Sequence, residues 1–291
     1  MEITAATAAT STTFAGPIRR PTNVTYQDAG SIHDDATARR LGLRGGTIAA
    51  STHFDQFPPV LIDVFGPAWF ERGSLSVYFR HATTDGEPVQ VFVGRPPADN
   101  LSAQMMAEMR TDAGIVVAEG TAAIGDTSEP TALHQRDLRH DGDDLRILAG
   151  LAQGDPIGPS AGRIDGPAQS VRLDQGLVSE PLDWYRDGSP WGGPVAVPSA
   201  VISMLTDGAG KALLGHIGTA VGLWGAFELR HFDGPVHVDT DYTVSGEIVA
   251  LGSSPRTEIL WYDMTVREGE RVIATMRNLT RFMKVSSPLY G

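Results

Sequence analysis

The sequence contains no cysteine. That excludes disulfides, thiolate metal sites and cysteine nucleophiles, and leaves carboxylates, histidines and hydroxyls to carry any chemistry. Nor is there a run approaching the roughly 18 consecutive apolar residues of a membrane-spanning helix, and the opening MEITAATAATSTTF lacks the basic start and apolar core of a secretory signal. A soluble cytoplasmic protein with no membrane partner is the expectation. Basic residues are scarce as well. With 23 Lys and Arg against 35 Asp and Glu, the formal charge is −12. This speaks against nucleic acid as a partner, because phosphate backbones are bound by Lys and Arg. Also missing are a His-Glu-x-x-His pair, a phosphate-cradling glycine loop ahead of a lysine and a dinucleotide fingerprint, so neither a metal nor a cofactor is expected.

What the sequence does contain is a repeat of itself. RGGTIAAS (Arg44 to Ser51), an apolar segment, SLSVYFRHATTDGEPVQVFVG (Ser74 to Gly94) and AEMRTDAGIVVAEGTAAI (Ala107 to Ile124) form the first copy. WGGPVAVPS (Trp191 to Ser199), an apolar segment, GAFELRHFDGPVHVDTDYTVSG (Gly225 to Gly246) and DMTVREGERVIATMRNLTRF (Asp263 to Phe282) form the second. Order and spacing are kept, at about 150 residues, and ordered self-similarity of this kind marks a duplicated structural unit. The expected organisation is a module over 1–124, a connecting segment over 125–174 rich in Gly, Asp and Pro that runs over the surface, and a second module over 175–291.

Within the first copy, Leu75, Val77 and Phe79, then Val89, Val91 and Val93, alternate with more polar neighbours, the period of half-buried antiparallel strands. The last segments read as hairpins turning at Asp-Ala-Gly and Glu-Gly-Glu. Helical spacing instead links Phe54, Phe57, Leu61, Val64 and Phe65, and likewise Val201, Met204, Leu205 and Leu213. Each module is therefore a long helix followed by about four antiparallel strands. Pro58 and Pro59 should break or kink the first helix, since an interior proline removes a hydrogen bond and clashes with the preceding turn.

Asp28-Ala-Gly-Ser-Ile-His33, followed by Ala38, Gly42 and Thr47-Ile48-Ala49, resembles the signature of the MaoC-like enoyl-thioester hydratases and dehydratases: Asp-x-Asn-Pro-(Ile/Leu/Val)-His, a small residue, a glycine and an Ile-Ala-His-Gly stretch. The duplicated plan resembles the double hot-dog form of that family, an α+β fold in which each helix is wrapped by antiparallel sheet. Gln27, Gly30, Ser31 and Ala50-Ser51 depart from the signature. The resemblance implies a lyase of fatty acid or polyketide metabolism acting on an acyl-CoA or acyl-carrier-protein thioester without a cofactor. Asp28 and His33 would be its acid/base pair, and backbone amides near Ser51 and Thr52, at the start of the central helix, would hold the thioester oxygen. In the second copy the position of His33 falls near Glu180, with neither Asp nor His of the signature, so that half is expected to be silent. Two fused modules reproduce the pairing of single hot-dog domains, leaving a homodimer compatible but not required.

Other readings stay open at this level. Asp28 to Ser31 also suits a surface turn, and His33-Asp34-Asp35 the start of a solvated helix. His53 and Asp55 form a second constellation, from which Asp55 could drive thioester hydrolysis or simply complement a helix dipole. A third possibility is a binding or cyclase-like tailoring protein that reuses the pocket. His81 and His231 occupy equivalent strand ends in both copies, which favours structural roles, and His216 reads as a core histidine. His134 and His140 fall in the connecting segment. Phe54, Phe57, Trp69 and Trp224 would suit a bulky or ring-shaped acyl group, although such spacing belongs more often to a core.

Overall fold

The computed structural model describes residues 13–24, 30–138, 144–213 and 215–291. In the first half these form strand β1 (Thr13–Ala15), helices α1 (Asp35–Arg40), α2 (Ala50–Phe54), α3 (Pro58–Phe65) and α4 (Trp69–Arg72), and strands β2 (Gly73–Phe79), β3 (Val89–Gly94), β4 (Met105–Thr111) and β5 (Val116–Ile124). The second half follows with β6 (Pro156–Gly162), α5 (Gly166–Asp174), α6 (Pro198–Leu213), β7 (Val221–His231), β8 (Tyr242–Ser253), β9 (Thr257–Glu268) and β10 (Arg271–Met283). The ten strands make one antiparallel sheet in the order β1-β3-β4-β5-β2-β7-β10-β9-β8-β6. Read outward from the centre, the two halves have the same order, which is the duplication inferred from sequence. Where they meet, β2 and β7 pair from Ser74 opposite Arg230 to Tyr78 opposite Ala226.

The prolines act where expected. The first central helix is divided, α2 ending at Phe54 and α3 opening with Pro58 and Pro59, where a missing N–H matters least. Without such an interruption α6 runs as a single helix of 16 residues and buries Val201, Met204, Leu205 and Leu213. Phe54, Phe57 and Leu61 are fully buried, and one hydrophobic core extends through both halves. The hairpins turn at Gly114 and Gly269, both with positive φ. His216, read from sequence as a core histidine, stands exposed beyond the end of α6, because the apolar pattern stops at Leu213.

The segment 125–174 holds more structure than its composition suggests. Strand β6 pairs with β8 as β1 pairs with β3. Leu133 is fully buried against Ala226, Ala250, Trp261 and Leu279, and its amide donates to Ser76 Oγ at 3.0 Å. This covering explains why Ser76 is buried alongside Leu75 and Val77, hiding the alternation of β2. Further along, the amides of Arg146, Ile147 and Leu148 donate to the buried carboxylate of Glu258 at 2.8 to 2.9 Å, and Tyr290 donates its hydroxyl at 2.5 Å. Burial alone would raise the pKa of Glu258, but these donors hold it below the usual carboxylate range.

His81 and His231, equivalent in sequence, differ in place. His231 is buried with its ring 5.4 Å from Trp69 and 6.0 Å from Phe70, and neither ring nitrogen has a hydrogen-bond partner. Burial depresses its pKa to about 4. A histidine with a folded-state pKa below its unfolded value stabilises the fold above about pH 6.5 and loses that contribution as the pH falls toward 4. His231→Phe should therefore gain about 2 kcal/mol of unfolding free energy over wild type on going from pH 8 to pH 5. Urea titrations at the two pH values check this; an unchanged difference would mean that His231 finds a partner for its charge.

Candidate functional site

His33 stands two residues before α1, next to the N-cap Asp34, whose side chain accepts from the Thr37 amide at 2.8 Å. The stretch starts a helix, as one of the sequence readings has it, with His33 beside its cap. The backbone of His33 is pinned from three sides. Its amide donates to Ser31 Oγ at 3.1 Å, its carbonyl accepts from Asn23 Nδ2 at 2.9 Å, and Gly46 packs so closely that a Cβ there would lie 2.2 Å from the His33 oxygen. Gly46 is held in turn by its amide on Asp35 Oδ1 at 2.7 Å. The glycine pair, read from sequence as a turn into the helix, is also what admits His33 to its place.

The imidazole is oriented as tightly. His33 Nδ1 lies 2.7 Å from the Thr47 carbonyl oxygen. A carbonyl only accepts, so Nδ1 carries the proton and Nε2 of the neutral ring keeps a lone pair. The ring lines a cleft of about 500 Å³ bounded by Ile32, Thr47, Ile48, Ala50 and Thr83 from the first half and by Gly222, Leu223, Trp224 and Thr280 from the second. On another side His33 borders an open groove of about 620 Å³ beside Asn23, Asp34, Arg39 and Arg44. Its sequence partner Asp28 lies outside the described residues.

Helix α2 opens onto the same cleft through Ala50. The first amides of a helix have no partner within it and carry the positive end of its dipole. Thr52 N donates to Ala49 O at 3.0 Å, so its amide is spent, whereas those of Ala50 and Ser51 make no hydrogen bond among the described residues. His53 faces the cleft from the same turn. It is buried, its Nε2 lies 2.6 Å from Thr83 Oγ1, and burial lowers its pKa to about 4, which keeps it neutral.

Asp55 is also buried, but its carboxylate turns to the other module. Oδ1 accepts the amide of Ser199, at the start of α6, at 2.7 Å. Burial pushes its pKa up to about 7, with the Ser199 bonds and Arg172 offsetting part of the rise. This contact, which sequence spacing could not reveal, matters for the second half. Ser199 is the repeat partner of Ser51. Its amide is taken by Asp55, Pro198 has no N–H, and the Val197 amide donates to Gln169 Oε1 at 2.9 Å. Glu180, where the second copy would place its histidine, is ion-paired with Arg19. The start of α6 is thus closed by internal side chains where the start of α2 is open. Of the aromatic residues singled out from sequence, Phe54, Phe57 and Trp69 are core, and Trp224 lines the cleft half-buried. Among the described residues no group of three His, Asp or Glu side chains could hold a metal ion, and no helix is long and apolar enough to cross a membrane.

No family model matches the chain, and no curated protein matches its sequence. Solved structures do match. A MaoC domain protein dehydratase structure from Chloroflexus aurantiacus J-10-fl superimposes with a TM-score of 0.60 at 13% identity, covering 94% of this chain and 95% of that one. A conserved hypothetical protein from Mycobacterium tuberculosis, described as having a double hotdog fold, gives 0.56 at 12% identity over 94% and 96% of the two chains. A MaoC-like dehydratase gives 0.54 at 14% identity over 93% and 97%. At such identities the likeness is one of fold: the chain is a double hot-dog protein.

Proposed function

We propose that this double hot-dog chain hydrates a 2-enoyl thioester, or dehydrates the corresponding 3-hydroxyacyl thioester, in the cleft of its N-terminal module. The observation that supports this most directly is His33, whose Nδ1 proton is committed to the Thr47 carbonyl and which lines the cleft beside α2, whose Ala50 and Ser51 amides make no hydrogen bond among the described residues. In the hydration direction, Nε2 of His33 takes a proton from water as the oxygen adds to the β-carbon. Charge then develops on the thioester oxygen, where the Ala50 and Ser51 amides hold it at the positive end of a helix. A proton delivered to the α-carbon completes the addition, and Asp28 shares this proton traffic with His33. Nothing comparable is on offer at α6, which supports a single working site per chain.

The test is direct. Purified protein should bleach the enoyl-thioester absorbance of a short 2-enoyl-CoA, or of the same acyl group on a carrier protein, without releasing free thiol. Thiol release with the enoyl absorbance intact would replace this reading by hydrolysis.

A further inference from the structure

Three guanidinium groups gather on one tyrosine beside the cleft. Tyr78, near the end of β2, has Arg136 at 4.2 Å, Arg80 at 4.6 Å and Arg281 at 5.4 Å from the centre of its ring. Arg281 also donates to the Tyr78 hydroxyl. A cation over an aromatic face is modestly stabilising, but three around one ring repel one another. The pKa of Arg136 is lowered by burial and by Arg80, and that of Arg281 by burial. Against them stands one carboxylate in ion-pair contact, Glu119, and it is taken by Arg80 at 2.6 Å. Arg136 and Arg281 form no ion pair among the described residues. Asp137 borders the same surface, but the charges acting on Arg136 are those of Arg80 and Glu119. In a chain of formal charge −12, arginines left without a carboxylate call for an explanation.

Arg281 is also where two concavities meet. With Arg80 it lines the cleft, and with Arg136, Leu138, Ile259 and Trp261 it lines a neighbouring groove of about 220 Å³. Its place there depends on a β-bulge. The pairing of β7 and β10 slips at Leu279 and Thr280, leaving Gly225 as the extra residue, and bulges re-aim side chains beside functional sites. The Arg281 side chain crosses Gly225 so closely that a Cβ there would lie 2.9 Å from Nε. Among the described residues that side chain makes one hydrogen bond, to Tyr78, and its buried Nε has no partner. A guanidinium carries five N–H donors, so most of this fork is uncommitted.

Building on the thioester reading of the cleft, we infer that Arg80, Arg136 and Arg281 bind the phosphates of coenzyme A, making the substrate a CoA thioester whose nucleotide lies in the groove beyond Arg281 and whose acyl end lies in the cleft. Guanidinium forks match phosphate oxygens in bidentate fashion. A pyrophosphate or a phosphomonoester supplies the negative charge that Arg136 and Arg281 lack. Leu138, Ile259 and Trp261 give a flat base an apolar surface beside those phosphates. A carrier protein would bring a single phosphodiester charge and no base, and so fits the cluster and its groove less well.

Calorimetric titration with free CoA, 4′-phosphopantetheine and pantetheine tests this without depending on turnover. Wild-type protein should bind CoA at least about ten-fold more tightly than either shorter probe, with an advantage that shrinks as salt is raised. Arg136→Gln and Arg281→Gln should each weaken CoA binding about ten-fold and leave the pantetheine titration unchanged. Arg136 is exposed, so its variant removes charge without disturbing the core, and Arg110→Gln, exposed on β4, should change neither titration. CoA that binds no more tightly than pantetheine, that does not bind, or that binds both variants as it binds wild type would overturn the site. Binding of 4′-phosphopantetheine as tight as that of CoA would overturn the assignment to CoA. Failure of the hydration reading is seen separately, as arginine-dependent CoA binding by a protein that leaves enoyl absorbance unbleached.

Discussion

Replacing His33 by alanine is expected to lower kcat/KM for enoyl-thioester hydration by a factor on the order of 10³, with little change in thermal stability. General acid/base catalysis by one positioned group contributes about 10² to 10⁴, and His33 has little competition for the role. His53 lines the same cleft, but burial holds it neutral and its Nε2 is engaged by Thr83. The loss should fall mainly on kcat, since the apolar walls and the Ala50 and Ser51 amides that bind the thioester remain in place. His33→Asn is the sharper variant. Its amide can still donate to the Thr47 carbonyl, preserving the local packing, but it has no basic nitrogen. Gly46→Ala separates position from chemistry, because it retains the imidazole but drives a methyl group against the His33 carbonyl, 2.2 Å away in the present geometry. Its activity should fall although both ends of the proposed acid/base pair are intact. If His33→Asn keeps wild-type turnover, His33 is a structural residue and the proposed reaction fails with it. Asp28→Asn is expected to lower hydration by a comparable factor, as the second member of the pair.

The fold was largely legible in the sequence because the duplication made each half a check on the other. Alternation at Val89, Val91 and Val93 marks a strand open to solvent on one face, and the same period fails at Ser76 because Leu133, distant in sequence, covers it. Likewise Pro58 and Pro59 announce a broken helix locally, whereas the burial of Ile147 and Leu148 depends on the Glu258 carboxylate about 110 residues away. Site geometry divides in the same way. His33 could be nominated from a short motif, and its Thr47 partner lies 14 residues on, within the same local stretch. The contributions of β7 and β10, including Trp224 and Thr280, depend on the junction between the halves and left no signal beyond an aromatic residue and a glycine-rich stretch. Asp55 was the hardest to read. A carboxylate following a helix turn with a histidine suits catalysis, helix electrostatics or a tertiary cap, and only the approach of α6 distinguishes them.

That approach makes Asp55 a strong lever on stability. Its pKa is about 7 in the folded protein against 3.8 for an unperturbed aspartate. The folded state therefore binds the Asp55 proton more tightly than the unfolded state does, and stability from this group is fully present below about pH 3.8 and lost as the pH rises through 7. Between pH 5 and pH 8 the loss amounts to about 3 kcal/mol. Asp55→Asn removes the titration while retaining an oxygen that can accept the Ser199 amide. Its NH2 group brings a burial penalty of its own, but that penalty does not vary with pH, so the comparison to make is of slopes and not of absolute values. The variant should gain about 3 kcal/mol relative to wild type on going from pH 5 to pH 8, read from urea unfolding at both. Parallel pH profiles for the two proteins would show that the buried carboxylate has found compensation in both protonation states. The same variant bears on the reaction. A residue whose work is to close the start of α6 can lose its charge with hydration intact, whereas a water-activating carboxylate cannot, so retained enoyl-thioester bleaching in Asp55→Asn places Asp55 in the joint between the modules and outside the chemistry.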